Sequence, residues 1–166
     1  MKKILLLASM LVLVMALTAC GKEESGEKEG SKDDKKSIEG TVTDIAKKIV
    51  DDGKFIDEVV TIDNEMINQK LDIDSANVEE SVCYYGTGDS ANIVYVAIFK
   101  EESKAKDAKE KLEVYLDELK TANESYDPEE LGKIDDAILE IDGQYAIMVI
   151  SDDNEAAKKA IDSFRK

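Results

Sequence analysis

One stretch of the sequence constrains the fold more than any other. From Ala91 to Phe99 nearly every residue is apolar, and most are β-branched or aromatic, which predicts a β-strand in the centre of a sheet. The run Val78–Tyr85 predicts a second strand. The loop Gly86–Ser90 between them has the length of a hairpin connection. The chain is therefore expected to fold around a sheet.

A second hairpin follows further along the chain. Two apolar runs, Ala137–Ile141 and Gln144–Ser151, flank Asp142-Gly143, and Asp-Gly between such runs favours a tight primed turn. The spacing of apolar residues also predicts four helices. The first begins after Thr41 as its cap, ends at Gly53, and places on one face Val42, Ile45, Ala46, Ile49 and Val50. The second is expected at Asn64–Leu71 and the third at Ser103–Asn123. The fourth begins after Asp152 or Asp153 and places on one face Ala157, Ala160, Ile161 and Phe164.

These elements give an α+β fold class. Strand pairs separated by helices predict an antiparallel four-stranded sheet of two hairpins, with helices packed mainly on one face. The expected order is α-α-β-β-α-β-β-α.

The first twenty residues have the pattern of a secretion signal. Lys2 and Lys3 precede a 14-residue apolar run, Ile4–Leu17, which is the length of a signal-peptide core and short for a membrane span. Leu17-Thr18-Ala19-Cys20 resembles a bacterial lipobox, which implies cleavage after residue 19 and a diacylglyceryl group on Cys20. An uncleaved membrane helix, or an ordinary signal peptide with a chance cysteine, is the alternative.

Composition divides the rest of the chain. Residues 21–36 contain no apolar side chain, so we expect residues 20–39 to form a disordered, charged tether. A charge-patterned docking segment is the alternative. Residues 40–166 are expected to form a single α+β domain of a size that can bury a stable core.

Net charge and residue types exclude several functions. The formal charge is −16, from 38 acidic and 22 basic residues, and this acidity argues against a nucleic-acid partner, because phosphates require a basic face. The chain contains no histidine, which excludes Ser-His-Asp and Cys-His catalysis and every histidine-containing metal site. We expect no cofactor.

The chain resembles the DUF4358 lipoproteins of Firmicutes-type bacteria over most of residues 40–166. Besides the lipobox and the amphipathic first helix, the matching features are Leu71-Asp72-Ile73-Asp74, Val78-Glu79-Glu80, Tyr84-Tyr85-Gly86, Tyr126-Asp127-Pro128-Glu129 and Ile141-Asp142-Gly143-Gln144-Tyr145. The resemblance implies no activity and no functional residue.

Acidic clusters are the obvious candidates for calcium binding, because calcium takes oxygen ligands. Asp72–Asn77 begins like an EF-hand loop, but Asn77 stands where that loop needs glycine and Cys83 where it needs glutamate. Asp135-Asp136 and Asp152–Glu155 read more simply as loop and helix-start residues. We therefore assign no metal site.

Three other side chains are considered as functional residues. Cys83 lacks an intrachain disulfide partner if Cys20 is acylated, and it is expected as a small buried apolar residue rather than a reactive thiol. Tyr85 and Tyr126 adjoin predicted loops and form a possible recognition surface; ordinary packing is the alternative.

Together these features predict a lipoprotein held by Cys20 on the extracytoplasmic face of a Gram-positive-like cell membrane. Its expected role is a non-catalytic binding or interaction module for an envelope protein partner. A sensor of cations or small ligands, such as Ca²⁺ or basic peptides, is the alternative, since a strongly negative field concentrates cations. An envelope hydrolase that uses carboxylates is a third reading.

Overall fold

The computed structural model describes residues 36–166. The leader, Cys20 and the tether up to residue 35 lie outside the described residues. The helices are α1 (Val42–Asp52), α2 (Asn64–Leu71), α3 (Glu102–Tyr126), α4 (Leu131–Asp135) and α5 (Asn154–Asp162), and a short 3₁₀ turn spans Ser75–Asn77. The strands are β1 (Val59–Ile62), β2 (Val78–Gly86), β3 (Ile93–Phe99), β4 (Ile138–Asp142) and β5 (Tyr145–Ile150).

The sheet has five antiparallel strands in the order β1-β2-β3-β5-β4. The α+β class and the antiparallel pairing are confirmed, but the predicted four-stranded sheet and its element order are wrong, since a fifth strand, β1, and a fifth helix, α4, were not predicted. The missed strand, β1, is four residues long and pairs Val59 with Gly86 and Ile62 with Cys83. It escaped prediction because so short a run between Glu58 and Asp63 carries little periodicity, and only its partner strand holds it in place.

Helices cover both faces of the sheet, so the expectation that they pack mainly on one face is also wrong. α2, α3 and α4 cover one face, where Tyr95 and Phe99 are buried. α1 and α5 cover the other, where Val94 and Val96 are buried. The cause is visible in β3, because a strand that is apolar at every position needs an apolar layer on each side.

Local sequence signals set several element ends. The side chain of Thr41 accepts a hydrogen bond from Asp44 N and begins α1, which ends at Gly53 as predicted. Asp153 caps α5 by accepting from Ala156 N. The β4–β5 turn has its central residues at Gly143, with φ of 57°, and Gln144. A positive φ at the first central residue alone is typical of a type II′ turn and favours glycine.

The two ends of the described chain meet beside β4. Ile38 is buried and forms an antiparallel bridge with Arg165. Its backbone N–H donates to Asp142 Oδ2 at 2.6 Å, and Glu39 N donates to Phe164 O at 2.9 Å. Residues 37–39, which were predicted to belong to the tether, are thus held against the C-terminal end of the domain. No helix within residues 36–166 combines the length and the apolar character needed to cross a bilayer.

Candidate functional site

Several loops converge at one end of the sheet. β3 begins and β5 ends there, because Ile93 pairs with Ile150. The neighbouring residues, Asn92 and Ser151, are fully buried polar residues at this end. Buried polar groups need partners. The side chain of Asn92 bonds to Lys133 of α4 and to Asp152, and Ser151 bonds to Asn154 at the start of α5.

Lys133 of α4 lies at the centre of a polar network. Its Nζ is 2.8 Å from Glu130 Oε1, 3.0 Å from Asp152 Oδ1 and 3.2 Å from Asn92 Oδ1. The three charged side chains are only 12–15% exposed. Asn92 Nδ2 donates back to Asp152 Oδ2 at 3.1 Å. We call Asn92, Glu130, Lys133 and Asp152 the Lys133 network.

Backbone groups complete the network. Ile56 N donates to Asp152 Oδ2 and Asp152 N donates to Lys54 O, each at 2.8 Å, so the loop after α1 is fixed to the end of β5. Ala91 N donates to Glu130 Oε2 at 2.7 Å. The Lys133 network therefore ties four separate stretches of chain together.

The charges in this network stabilise one another. Burial alone would lower the pKa of the Lys133 ammonium, but its hydrogen bonds to Glu130 and Asp152 outweigh burial and leave that pKa raised. Burial would likewise raise the pKa of the Asp152 carboxyl, but the Ile56 N–H and Lys133 leave it lowered. At neutral pH the lysine is a paired cation and not a free nucleophile or base.

A cleft of about 670 Å³ lies directly beside the network. A smaller cleft of about 210 Å³ continues along β4 and shares Leu139 and Glu140 with the first. We call the combined surface the β4 trough. It is lined by the outer edge of β4 (residues 138–142), by Gly132, Lys133, Asp136 and Ala137 around α4, by residues 151–155 and Lys158 at the start of α5, and by Arg165.

Acidic groups outnumber basic groups in the trough. Six carboxylate side chains and three basic side chains line the two clefts, so the formal balance is negative. Arg165 is held between Glu140 and Asp142, with its Nη1 3.7 Å from Asp142 Oδ2. Asp136 and Glu155 are exposed. The trough thus offers carboxylates to a cationic ligand.

Tyr85 and Tyr126 lie in different surroundings. Tyr85, on β2, is half-buried, with the Lys70 ammonium 4.1 Å from its ring centre. It also lies beside Tyr115, whose pKa is raised mainly by burial. Tyr126 ends α3 and is 74% exposed. Within residues 36–166 no hydrogen bond joins these two tyrosines, and neither lines the β4 trough.

Cys83 is buried and free. Burial raises the pKa of its thiol to about 12. The hydroxyl of Tyr95, the residue opposite on β3, is also buried and has no hydrogen-bond partner among the described residues. Both groups belong to the packed core.

The acidic clusters serve as caps and ion-pair partners. Asp72 follows α2 with φ of 55° and pairs with Lys111 at 2.8 Å. Asp74 caps the 3₁₀ turn by accepting from Ala76 N. Asp135 pairs with Lys120. In the described part of the chain, no three acidic or cysteine side chains converge as a metal site would require.

Sequence reasoning missed the Lys133 network. One signal was available, because Asn92 is the only polar residue in the run Ala91–Phe99. Glu130 and Lys133 carried no signal, since charged residues three apart on a short helix are common.

The fold and the trough define an α+β protein in which one five-stranded antiparallel sheet is covered by helices on both faces. Residues 51–151 match the family described as Domain of unknown function (DUF4358). The match covers more than half of the chain, and the chain belongs to this family. The matched range contains Asn92, Glu130 and Lys133 and ends one residue before Asp152. No curated protein and no solved structure matches the chain.

Proposed function

We propose that this chain is a lipid-anchored, extracytoplasmic binding module without catalytic activity, and that the β4 trough is its binding surface. The anchoring part of the proposal rests on the sequence around Cys20. The binding part rests on the geometry of residues 36–166.

One observation carries the binding role. The least exposed ionisable groups that line the cleft of about 670 Å³, Lys133 and Asp152, are paired with each other at 3.0 Å and fixed by further hydrogen bonds. A general base or a nucleophile has to be free to exchange a proton or attack a substrate. The network instead gives the cleft a rigid wall, which is what a preformed recognition surface needs.

The lipid anchor would hold this surface close to the membrane. A diacylglyceryl group supplies two acyl chains, the number needed for stable anchoring. Lys36 lies sixteen positions after Cys20, and sixteen residue steps span at most about 55 Å. Lys36 lies at one end of the trough, since its carbonyl accepts from Arg165 Nη1. The trough would therefore face partners in or near the membrane.

The anchor is tested by labelling cells with an alkyne analogue of palmitate. We expect the wild-type chain to carry the label and to enter the detergent phase on Triton X-114 separation. The Cys20→Ser chain should not carry the label. Cys83→Ser is the matched control and should keep the label. Label retained by Cys20→Ser would refute the anchor.

The binding role is tested by photo-crosslinking in intact cells. A photoreactive residue placed at Asp136 samples the trough, and one at Glu113 on the outer face of α3 is the control. We expect a reproducible crosslinked protein from position 136 and none from position 113. Equal patterns from both positions, or none from either, would contradict a binding role for the trough.

A further inference from the structure

The outer edge of β4 carries backbone groups that have no hydrogen-bond partner among residues 36–166 and can pair with another strand. Asp142 and Tyr145 flank the two-residue turn, so they exchange hydrogen bonds with each other. Antiparallel pairs alternate between bonded and non-bonded. Glu140 and Ile138 therefore point their N–H and C=O groups toward β5, while Leu139 and Ile141 point theirs into the trough.

β4 lacks several of the features that protect edge strands, although Glu140 and Asp142 are charged and the two chain ends lie beside its C-terminal end. Edge strands are commonly blunted by lysine, proline or a bulge. β4 reads Ile-Leu-Glu-Ile-Asp, with neither lysine nor proline, and its register with β5 runs without a shift from Ile138 to Asp142. Each of the five residues of β4 lines one or both of the clefts of about 670 and 210 Å³, so there is open space beside β4 for an added segment.

We propose that an extended, basic segment of a partner protein binds in the β4 trough as a sixth strand of the sheet. The inference rests on the binding role proposed above and specifies its ligand. Main-chain hydrogen bonds to Leu139 and Ile141 supply affinity, and alternate side chains of the segment supply specificity.

Charge selects the ligand. The exposed carboxylates Asp136 and Glu155 lie on the two walls of the trough, beside α4 and at the start of α5. Lysine or arginine side chains on an added strand would reach these walls. Pairing of two copies through β4 would instead place two negatively balanced troughs together in a protein of net charge −16, and like charges at an interface are unfavourable.

The probe is an acetylated and amidated octapeptide of alternating valine and lysine, added to the full chain in detergent micelles. Three matched peptides accompany it. In one, glutamate replaces lysine. In the other two, alternate residues are N-methylated, at the valines in one and at the lysines in the other, so that each peptide has one backbone edge unable to donate. We expect the unmodified lysine peptide to bind, and the glutamate peptide and one N-methylated peptide to lose at least tenfold in affinity.

Amide hydrogen exchange shows where the peptide binds. The N–H groups of Leu139 and Ile141 are expected to exchange rapidly in the free chain and at least tenfold more slowly with the lysine peptide. Protection of other acidic surfaces, such as α3, without protection of these two amides would overturn the proposal. Protection of both amides in the free chain, together with a dimer in sedimentation, would show that a second copy occupies the edge and would also overturn it.

A pair of variants isolates the backbone contact. Ile141→Pro removes an outward N–H, at a position where an edge strand tolerates proline, whereas Ile141→Ala keeps the N–H and removes the side chain. We expect about a tenfold loss of affinity from Ile141→Pro and a much smaller loss from Ile141→Ala. If circular dichroism shows that Ile141→Pro is unfolded, Asp136→Lys combined with Glu155→Lys replaces it, with a loss of several-fold expected for the lysine peptide.

The same variant separates this inference from the proposed function. Crosslinks from position 136 that persist unchanged in the Ile141→Pro chain would refute strand addition and leave the binding role intact. Absence of crosslinks from that position in the unmodified chain would refute the binding role itself.

Discussion

Replacing Lys133 with methionine is expected to lower the free energy of unfolding by about 3 kcal/mol. Methionine keeps the apolar stem but leaves the carboxylates of Glu130 and Asp152, each about 15% exposed, without their cation. Removing one partner of a buried ion pair typically costs about 3–5 kcal/mol. The residual exposure of the network favours the lower end of that range. For a domain of this size the loss corresponds to about 12 °C in melting temperature.

Urea unfolding followed by circular dichroism measures the effect, and Lys109→Met is the matched control. Lys109 forms an exposed pair with Glu113 one turn along α3, and such pairs contribute about 0.5 kcal/mol or less. A loss for Lys133→Met that equals the control would refute the argument that the network holds this end of the sheet together.

The pH dependence gives the same prediction a second test. The pKa of Asp152 is lowered in the folded chain, so its contribution is present above the unfolded pKa and is lost as pH falls through the folded value. The pKa of Lys133 is raised in the folded chain, so its contribution to stability is present at neutral pH and is lost only when the pH rises through the folded value. The gap between wild type and Lys133→Met should therefore be widest from about pH 5 to 10 and should narrow below about pH 4.

A triple variant separates unpaired charge from lost packing. Adding Glu130→Gln and Asp152→Asn to Lys133→Met removes all three charges, and replacing a whole buried ion group is often close to neutral. We expect this chain to recover most of the lost stability. A triple variant no more stable than Lys133→Met would show that packing, and not charge, causes the loss.

Three further outcomes follow from the core and the helix ends. Tyr95→Phe should stabilise the chain by about 1 kcal/mol in urea unfolding, because the lost hydroxyl is buried without a partner among the described residues. A clear destabilisation would show that the hydroxyl makes a favourable contact. In a chain that begins after Cys20, Cys83 should react with a thiol reagent at pH 8 only when the chain unfolds, because burial raises the pKa of its thiol to about 12. Rapid labelling of the folded chain would contradict this. Thr41→Ala should lower the free energy of unfolding by about 1 kcal/mol, because α1 loses its cap. Thermal unfolding measures the change, and an unchanged melting temperature would show that the cap contributes nothing.

Local pattern was a good guide to individual elements and a poor one to how they assemble. The helix at Asn64–Leu71 has the bounds that its spacing predicted, and the caps at Thr41 and Asp153 are those of their sequences. The count of strands failed at β1, because four residues are too few to show a period. The two-sided core could have been predicted from β3, since its residues are apolar on both faces.

The candidate site was largely beyond prediction. Asn92 was visible as a polar residue within an apolar run, but its partners Lys133 and Asp152 lie 41 and 60 positions away. Tyr85 and Tyr126 were selected because they adjoin loops, and the structure places both away from the β4 trough. Adjacency to a loop carries no information about which loops meet in space.

Local sequence was enough to predict where α1, α2 and α5 begin, which runs form the central strands, the net charge, and the family to which the chain belongs. These properties depend on residues within a few positions of one another or on composition. The edge position of β4, the burial of Lys133 between Glu130 and Asp152, and the clefts lined by β4 could be learned only from the fold. Those features arise only when chain closure brings distant segments together, and the energy of a buried ion pair or an open strand edge depends on that placement rather than on the residue type.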